Sequence, residues 1–97
     1  MATIYGNDGR NVLEGTNLAD LIYGRGGNDK IIGLGGNDRL YGENGIDWLY
    51  GGTGNDRLYG GRGYDRLYGD DGDDLIFGDA DRDWLFGGRG NDRLYGD

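Results

Sequence analysis

The sequence predicts an all-β parallel solenoid with two nine-residue units per coil and about five coils. Three observations lead there. The stretch GGTGNDRLY, Gly51 to Tyr59, lands on a copy of itself when moved nine residues either way, as GENGIDWLY from Gly42 and GGRGYDRLY from Gly60. Each copy sets six turn-forming residues before three strand-forming ones. The eighth place is aliphatic throughout, as Leu13, Ile22, Ile31, Leu40, Leu49, Leu58, Leu67, Ile76, Leu85 and Leu94.

Ten such units follow one another from Gly6 to Tyr95 without insertion or deletion. A short fixed period marks an array whose units bury apolar surface only against their neighbours. Residues 1–5, MATIY, carry the end of a unit in Ile4 and Tyr5 and are expected to form a short opening strand. Gly96 and Asp97 start an eleventh unit. With no Pro, no linker and no shift of composition, residues 1–97 are expected to be one domain.

The first six places, as in Gly51 to Asp56, are Gly, Asn and Asp, which accept positive φ and tight turns. The last three, as in Arg57, Leu58 and Tyr59, favour a strand. No stripe of 3.6-residue period survives the recurring Gly, so a helix is excluded. Alternation along the strand turns the eighth place inward and the seventh and ninth outward. One inward residue buries nothing alone, whereas two units facing each other share a Leu/Ile core. Coils then stack at about 4.8 Å.

The first two units are the poorest copies. Asn11 stands where Asp recurs, and Leu18 where most units have Gly, a turn place expected to need positive φ. Degenerate terminal units are usual in such arrays. Near the other end Asp81 replaces Gly. The last strand, Arg93 to Tyr95, is expected to be an open edge able to pair with another chain, which leaves an end-to-end self-assembling scaffold as an alternative reading.

Composition limits the chemistry. The chain has 97 residues, 24 of them Gly, and its apolar content is low for its charge, so it is expected to be marginal or unfolded without help. A net charge of −8 opposes binding to nucleic acid or an anionic membrane surface. No segment is apolar enough to insert in a bilayer, and MATIYGNDGR lacks the features of a secretory signal. The absence of Cys and His removes disulfides, thiolate zinc sites and imidazole chemistry. Oxygen ligands remain.

Those oxygens are periodic. The sixth place holds Asp20, Asp29, Asp38, Asp47, Asp56, Asp65, Asp74, Asp83 and Asp92. Stacking would place them in columns of like charge, whose repulsion opposes folding. A hard divalent cation that takes 6 to 8 oxygens is the natural filler, with carboxylates from successive coils and carbonyls from Gly-rich turns as its shell.

With its G-G-x-G-x-D-x-U-x pattern repeated in phase over residues 6–95, the chain resembles the repeats-in-toxin (RTX) calcium-binding β-roll family. The resemblance implies a right-handed coil and Ca²⁺ bound between each turn and the turn two units later. One ion row follows Asn11, Asp29, Asp47, Asp65 and Asp83, the other Asp20, Asp38, Asp56, Asp74 and Asp92, with up to about eight sandwiched ions. The backbone ligands would come from Gly24, Gly27, Gly33, Gly36, Gly42, Gly45, Gly51, Gly52, Gly54, Gly60, Gly61, Gly63, Gly69 and Gly72. The strongest sites are expected at Asp29, Asp38, Asp47, Asp56, Asp65 and Asp74. The resemblance further implies folding outside the cell after type I secretion. The toxin or enzyme domain and the C-terminal region that usually accompany the repeats are not in this sequence, which resembles an excised or engineered module.

Other readings are weaker. The segment Asp79 to Asp83 imitates the start of an EF-hand, but Trp84 takes the place of its Gly and Gly90 that of its Glu. An ice-binding face needs a regular Thr array, and the third place of the units carries Thr only at Thr53. No nucleophile or base stands in a distinct setting, so no catalysis is expected. Tyr23, Tyr41, Tyr59, Phe77 and Tyr95 are expected to form one outward ladder, and Tyr50, Tyr68 and Phe86 part of another. Trp48, Arg66 and Trp84 would alternate beside them with cation–π contact. These ladders are read first as cross-strand support for a thin sheet. The alternative is an accessory module that presents them to a polysaccharide or protein. Arg39, Arg57 and Arg93 are read as solubilising.

Overall fold

A computed structural model describes residues 2–96 of the chain; Met1, and Asp97 of the incomplete eleventh unit, lie outside the described residues. Its elements are eleven three-residue strands: β1 (Thr3–Tyr5), β2 (Val12–Glu14), β3 (Leu21–Tyr23), β4 (Lys30–Ile32), β5 (Arg39–Tyr41), β6 (Trp48–Tyr50), β7 (Arg57–Tyr59), β8 (Arg66–Tyr68), β9 (Leu75–Phe77), β10 (Trp84–Phe86) and β11 (Arg93–Tyr95). Every strand from β2 to β11 occupies places seven to nine of its unit. The opening segment does pair, as β1 against β3, and includes Thr3 as well as the expected Ile4 and Tyr5.

Odd and even strands separate into two parallel sheets, six strands in the order β1-β3-β5-β7-β9-β11 and five in the order β10-β8-β6-β4-β2. Register advances by eighteen residues at each step, so Leu40 faces Leu58 and Leu49 faces Leu67. Two units therefore make one coil. Parallel strands need a crossover connection, and here that crossover is simply the other half of the coil.

Between the sheets lies one line of side chains. Ile22, Ile31, Leu40, Leu49, Leu58, Leu67 and Ile76 are all fully buried, with Ile4, Leu13 and Leu85 packed at the two ends. Each fully buried aliphatic contributes roughly 1.5–3 kcal/mol. The Cα envelope, 31 × 28 × 12 Å, is as thin as one such layer requires.

Outside, the ninth-place rings stack. Tyr5, Tyr23, Tyr41, Tyr59, Phe77 and Tyr95 form a continuous ladder with centroids 4.7–5.3 Å apart, and Tyr50, Tyr68 and Phe86 a second at 4.9 Å. The guanidinium of Arg66 lies 5.0 Å from the Trp48 ring and 4.5 Å from that of Trp84. These contacts tie each coil to the next on the solvent side, as the core does inside.

Candidate metal centre

The turns sit at the two narrow edges of this slab, and the sixth-place carboxylates point inward from them. Asp20, Asp29, Asp38, Asp47, Asp56, Asp65 and Asp74 are buried, with at most 3 % of their surface exposed. Asp83 and Asp92, in the last units, are half-buried. All nine therefore fall in the two rows expected from the period.

One oxygen of each carboxylate has a structural task. The backbone N–H of Asp38 donates to Oδ1 of Asp56 at 2.8 Å, and that of Asp56 to Oδ1 of Asp74 at 2.8 Å. In the other row Asn11 donates to Asp29, Asp29 to Asp47, and Asp47 to Asp65, at 2.8–2.9 Å. The columns are held together by hydrogen bonds, where charge alone predicted repulsion.

The second oxygen has none. Oδ2 of Asp29, Asp38, Asp47, Asp56, Asp65, Asp74 and Asp83 is buried with no hydrogen-bond partner. An unpartnered buried carboxylate oxygen is among the most costly groups a fold can hold. Burial accordingly pushes the Asp56 and Asp65 carboxyls up to about 8 and those of Asp47 and Asp74 to about 7, against the lowering effect of the N–H each receives. Asp38 and Asp83 rise to about 6, again through burial first. Neighbouring carboxylates add less than burial does, so desolvation is the larger obstacle.

Around these oxygens the donors are backbone carbonyls. A Cβ on Gly51, the first place of its unit, would stand 2.6 Å from Oδ2 of Asp56 and 2.8 Å from the carbonyl oxygen of Gly69, one coil on. On Gly42 it would stand 2.7 Å from Oδ2 of Asp47 and 2.8 Å from the Gly60 oxygen. Only Gly leaves this space open. At the second and fourth places the carbonyls of Leu34 and Gly36 press against Gly52 and Gly54 of the next turn, which take φ of +89° and +102°. Carbonyl and carboxylate oxygens thus share each gap between successive turns. Among the described residues no three carboxylate, His or Cys side chains converge on one point. A cation there would rely on the backbone for most of its shell, as hard oxygen-seeking ions readily do.

Three features lay outside the sequence reading. The second place keeps its left-handed turn conformation where its residue is not Gly, since Arg25, Leu34, Glu43, Asp70 and Asp79 adopt φ of 68–71°. That conformation carries no signature in these side chains, and composition pointed to Gly alone. The fifth place forms its own ladder, with Oδ1 of Asn37, Asn55 and Asp73 accepting the N–H of Asn55, Asp73 and Asn91, each at 2.8 Å. The recurring Asn and Asp at that place were its signal.

The third feature is that the first two turns are built differently. Neither Asn7 and Gly9 nor Thr16 and Leu18 takes positive φ, so Leu18 escapes the strain expected of it. Instead Thr16 donates its N–H to Oδ2 of Asp20 at 2.6 Å, and its hydroxyl lies 3.0 Å from both carboxylate oxygens. Burial raises Asp20 as it does the others, but these bonds and the N–H of Ala2 outweigh it and hold the carboxyl below its usual range.

A family model described as the RTX calcium-binding nonapeptide repeat (4 copies) matches residues 5–40, 14–49, 32–67, 50–85 and 68–97, overlapping along nearly the whole chain. No curated protein and no solved structure matches it.

Proposed function

Since the chain belongs to the RTX calcium-binding nonapeptide repeat family, we propose that it is a single calcium-dependent structural module that folds as Ca²⁺ enters its turns and carries out no catalysis. One observation carries the reading: seven buried carboxylate oxygens have no hydrogen-bond partner, in turns whose other inward groups are carbonyls. A divalent cation would supply positive charge to those oxygens and replace the water they lose on burial.

The residues of each turn have separate duties. The sixth-place Asp binds the preceding coil through Oδ1 and offers Oδ2 to the ion. Gly at the first place leaves room for that oxygen and for the carbonyl of the following coil. Positive φ at the second and fourth places directs further carbonyls along the stack. Because the unfolded chain has no such cradle, binding free energy becomes folding free energy. A chain of this kind works where free Ca²⁺ is plentiful, which favours the extracellular side.

The test is a far-UV circular dichroism titration of metal-stripped protein with Ca²⁺ and, separately, Mg²⁺. The proposal expects a steep gain of β signal with Ca²⁺. Mg²⁺ should substitute badly, because it demands near-ideal octahedral geometry and dehydrates reluctantly. A full β spectrum without metal, unchanged by Ca²⁺, would refute calcium-dependent folding.

A further inference from the structure

The second turn contains a carboxylate but, unlike the seven turns that follow it, no buried unpartnered carboxylate oxygen. We infer that Thr16 takes the place of the ion in the Asp20 turn, so that the sandwiched sites are those of Asp29, Asp38, Asp47, Asp56, Asp65 and Asp74 and the first gap of each row holds no Ca²⁺. This rests on the calcium reading above and narrows it from up to eight ions to six.

The geometry is specific. Turn 15–20 has the same first-place cradle as the others, since a Cβ on Gly15 would stand 2.6 Å from Oδ2 of Asp20 and 2.8 Å from the Gly33 oxygen. What differs is the second place. From Arg25 onward that residue has positive φ, and among the described residues its N–H does not reach the Asp of its own turn. Thr16 lies outside that region, and its N–H closes on Oδ2 of Asp20 at 2.6 Å. The hydroxyl, 3.0 Å from both oxygens of Asp20, also accepts the N–H of Leu18 at 3.0 Å, which closes a short turn of the kind Ser and Thr make. With Ala2 donating to Oδ1 at 2.8 Å, both oxygens of Asp20 are satisfied by the protein.

The first turn repeats the device with different atoms. Asn7 donates its N–H to Oδ1 of Asn11 at 2.8 Å, and its own Oδ1 accepts from Gly9 at 2.8 Å and from the Asn11 amide at 3.2 Å. A neutral Asn11 there needs no cation. A second-place Thr or Asn therefore marks a turn closed by its own side chain, and a second place with positive φ marks a turn left open for the ion where the following coil supplies a carbonyl, as it does up to Gly69 but, among the described residues, not at Gly78 or Gly87 beside Asp83 and Asp92.

Calcium bound per folded chain, counted by equilibrium dialysis with metal analysis, tests this. The wild type is expected to hold six ions, Asp20→Asn the same six, and Asp56→Asn one fewer. A loss of one ion from Asp20→Asn would overturn the inference while leaving the calcium reading intact. A wild type that binds no Ca²⁺ would overturn both. Thr16→Gly with Leu18→Gly converts residues 15–20 to GGNGAD and frees Asp20, so that variant is expected to gain one ion. Adding Asp20→Asn should remove the gain, and no gain in the double variant would also overturn the assignment.

Discussion

Asp38 and Asp56 are joined across one coil by a 2.8 Å hydrogen bond from the Asp38 N–H to Asp56 Oδ1, while the other oxygen of Asp56 is buried without a partner. The two oxygens of one carboxylate thus serve different ends, and substitution separates them. Asp56→Asn keeps a carbonyl oxygen for Asp38 and removes the anionic ligand. It should raise the Ca²⁺ midpoint of folding several-fold. Asp56→Ala strands the Asp38 N–H as well and should cost a further ~1–3 kcal/mol at saturating Ca²⁺. Equal denaturation midpoints for the two variants in saturating Ca²⁺ would contradict the division.

The metal-free fold should respond to acid in an unusual direction. Burial raises Asp47, Asp56, Asp65 and Asp74 to about 7 or 8, far above the ordinary carboxylate value of 3.8. Between those limits the folded state without metal binds more protons than the unfolded state, so its stability falls as pH rises. That contribution is complete below pH 3.8 and lost as pH passes through about 7 to 8. Circular dichroism of metal-stripped protein should show β structure growing from pH 8 down to pH 4. Ca²⁺ affinity should run the opposite way, since proton and cation compete for the same carboxylates. A metal-free spectrum independent of pH would contradict this.

Positive φ gives a pair of opposite substitutions. Leu34 holds φ 71° with a side chain that L residues adopt there at a cost of roughly 1–2 kcal/mol. Leu34→Gly relieves it, loses about 0.5–1 kcal/mol to added chain entropy, and should stabilise slightly. Gly54→Ala should destabilise by about 1–3 kcal/mol, because it adds a Cβ at φ +102° against the Gly36 carbonyl. Urea unfolding in saturating Ca²⁺ would reveal both signs.

Position along the stack should grade the core. Leu58 is fully buried between neighbours on both sides, whereas Leu94 in β11 is 41 % exposed. Leu58→Ala should cost about 2–5 kcal/mol and Leu94→Ala well under half of that, read from the same unfolding curves.

Much of this architecture was legible in the chain. The aliphatic eighth place set every strand from β2 to β11 and the inward face, and the period of the Asp column set both rows. The two stacked ladders and the Trp48-Arg66-Trp84 sandwich followed from the eighteen-residue step. The first two turns were less readable. Their departure was visible as Asn11 and Leu18, but its cause lies at Asn7 and Thr16, whose side chains compete for the turn's own hydrogen bonds. A nine-residue template treats the second place as a variable position. It does not register that a short polar side chain there can bond the carboxylate four residues on.

The constant eighteen-residue register bears on how the molecule assembles. No strand pairing, whether Ile4 with Ile22 or Leu94 with Ile76, requires a closed loop longer than one coil. Once a coil is in place, the next strand has only that short length to search. Adding units therefore lengthens the stack without enlarging the closure that each step must make, so relative contact order falls as the array grows. A longer chain of this kind should extend by propagation from formed coils, much as a one-dimensional lattice orders from a seed.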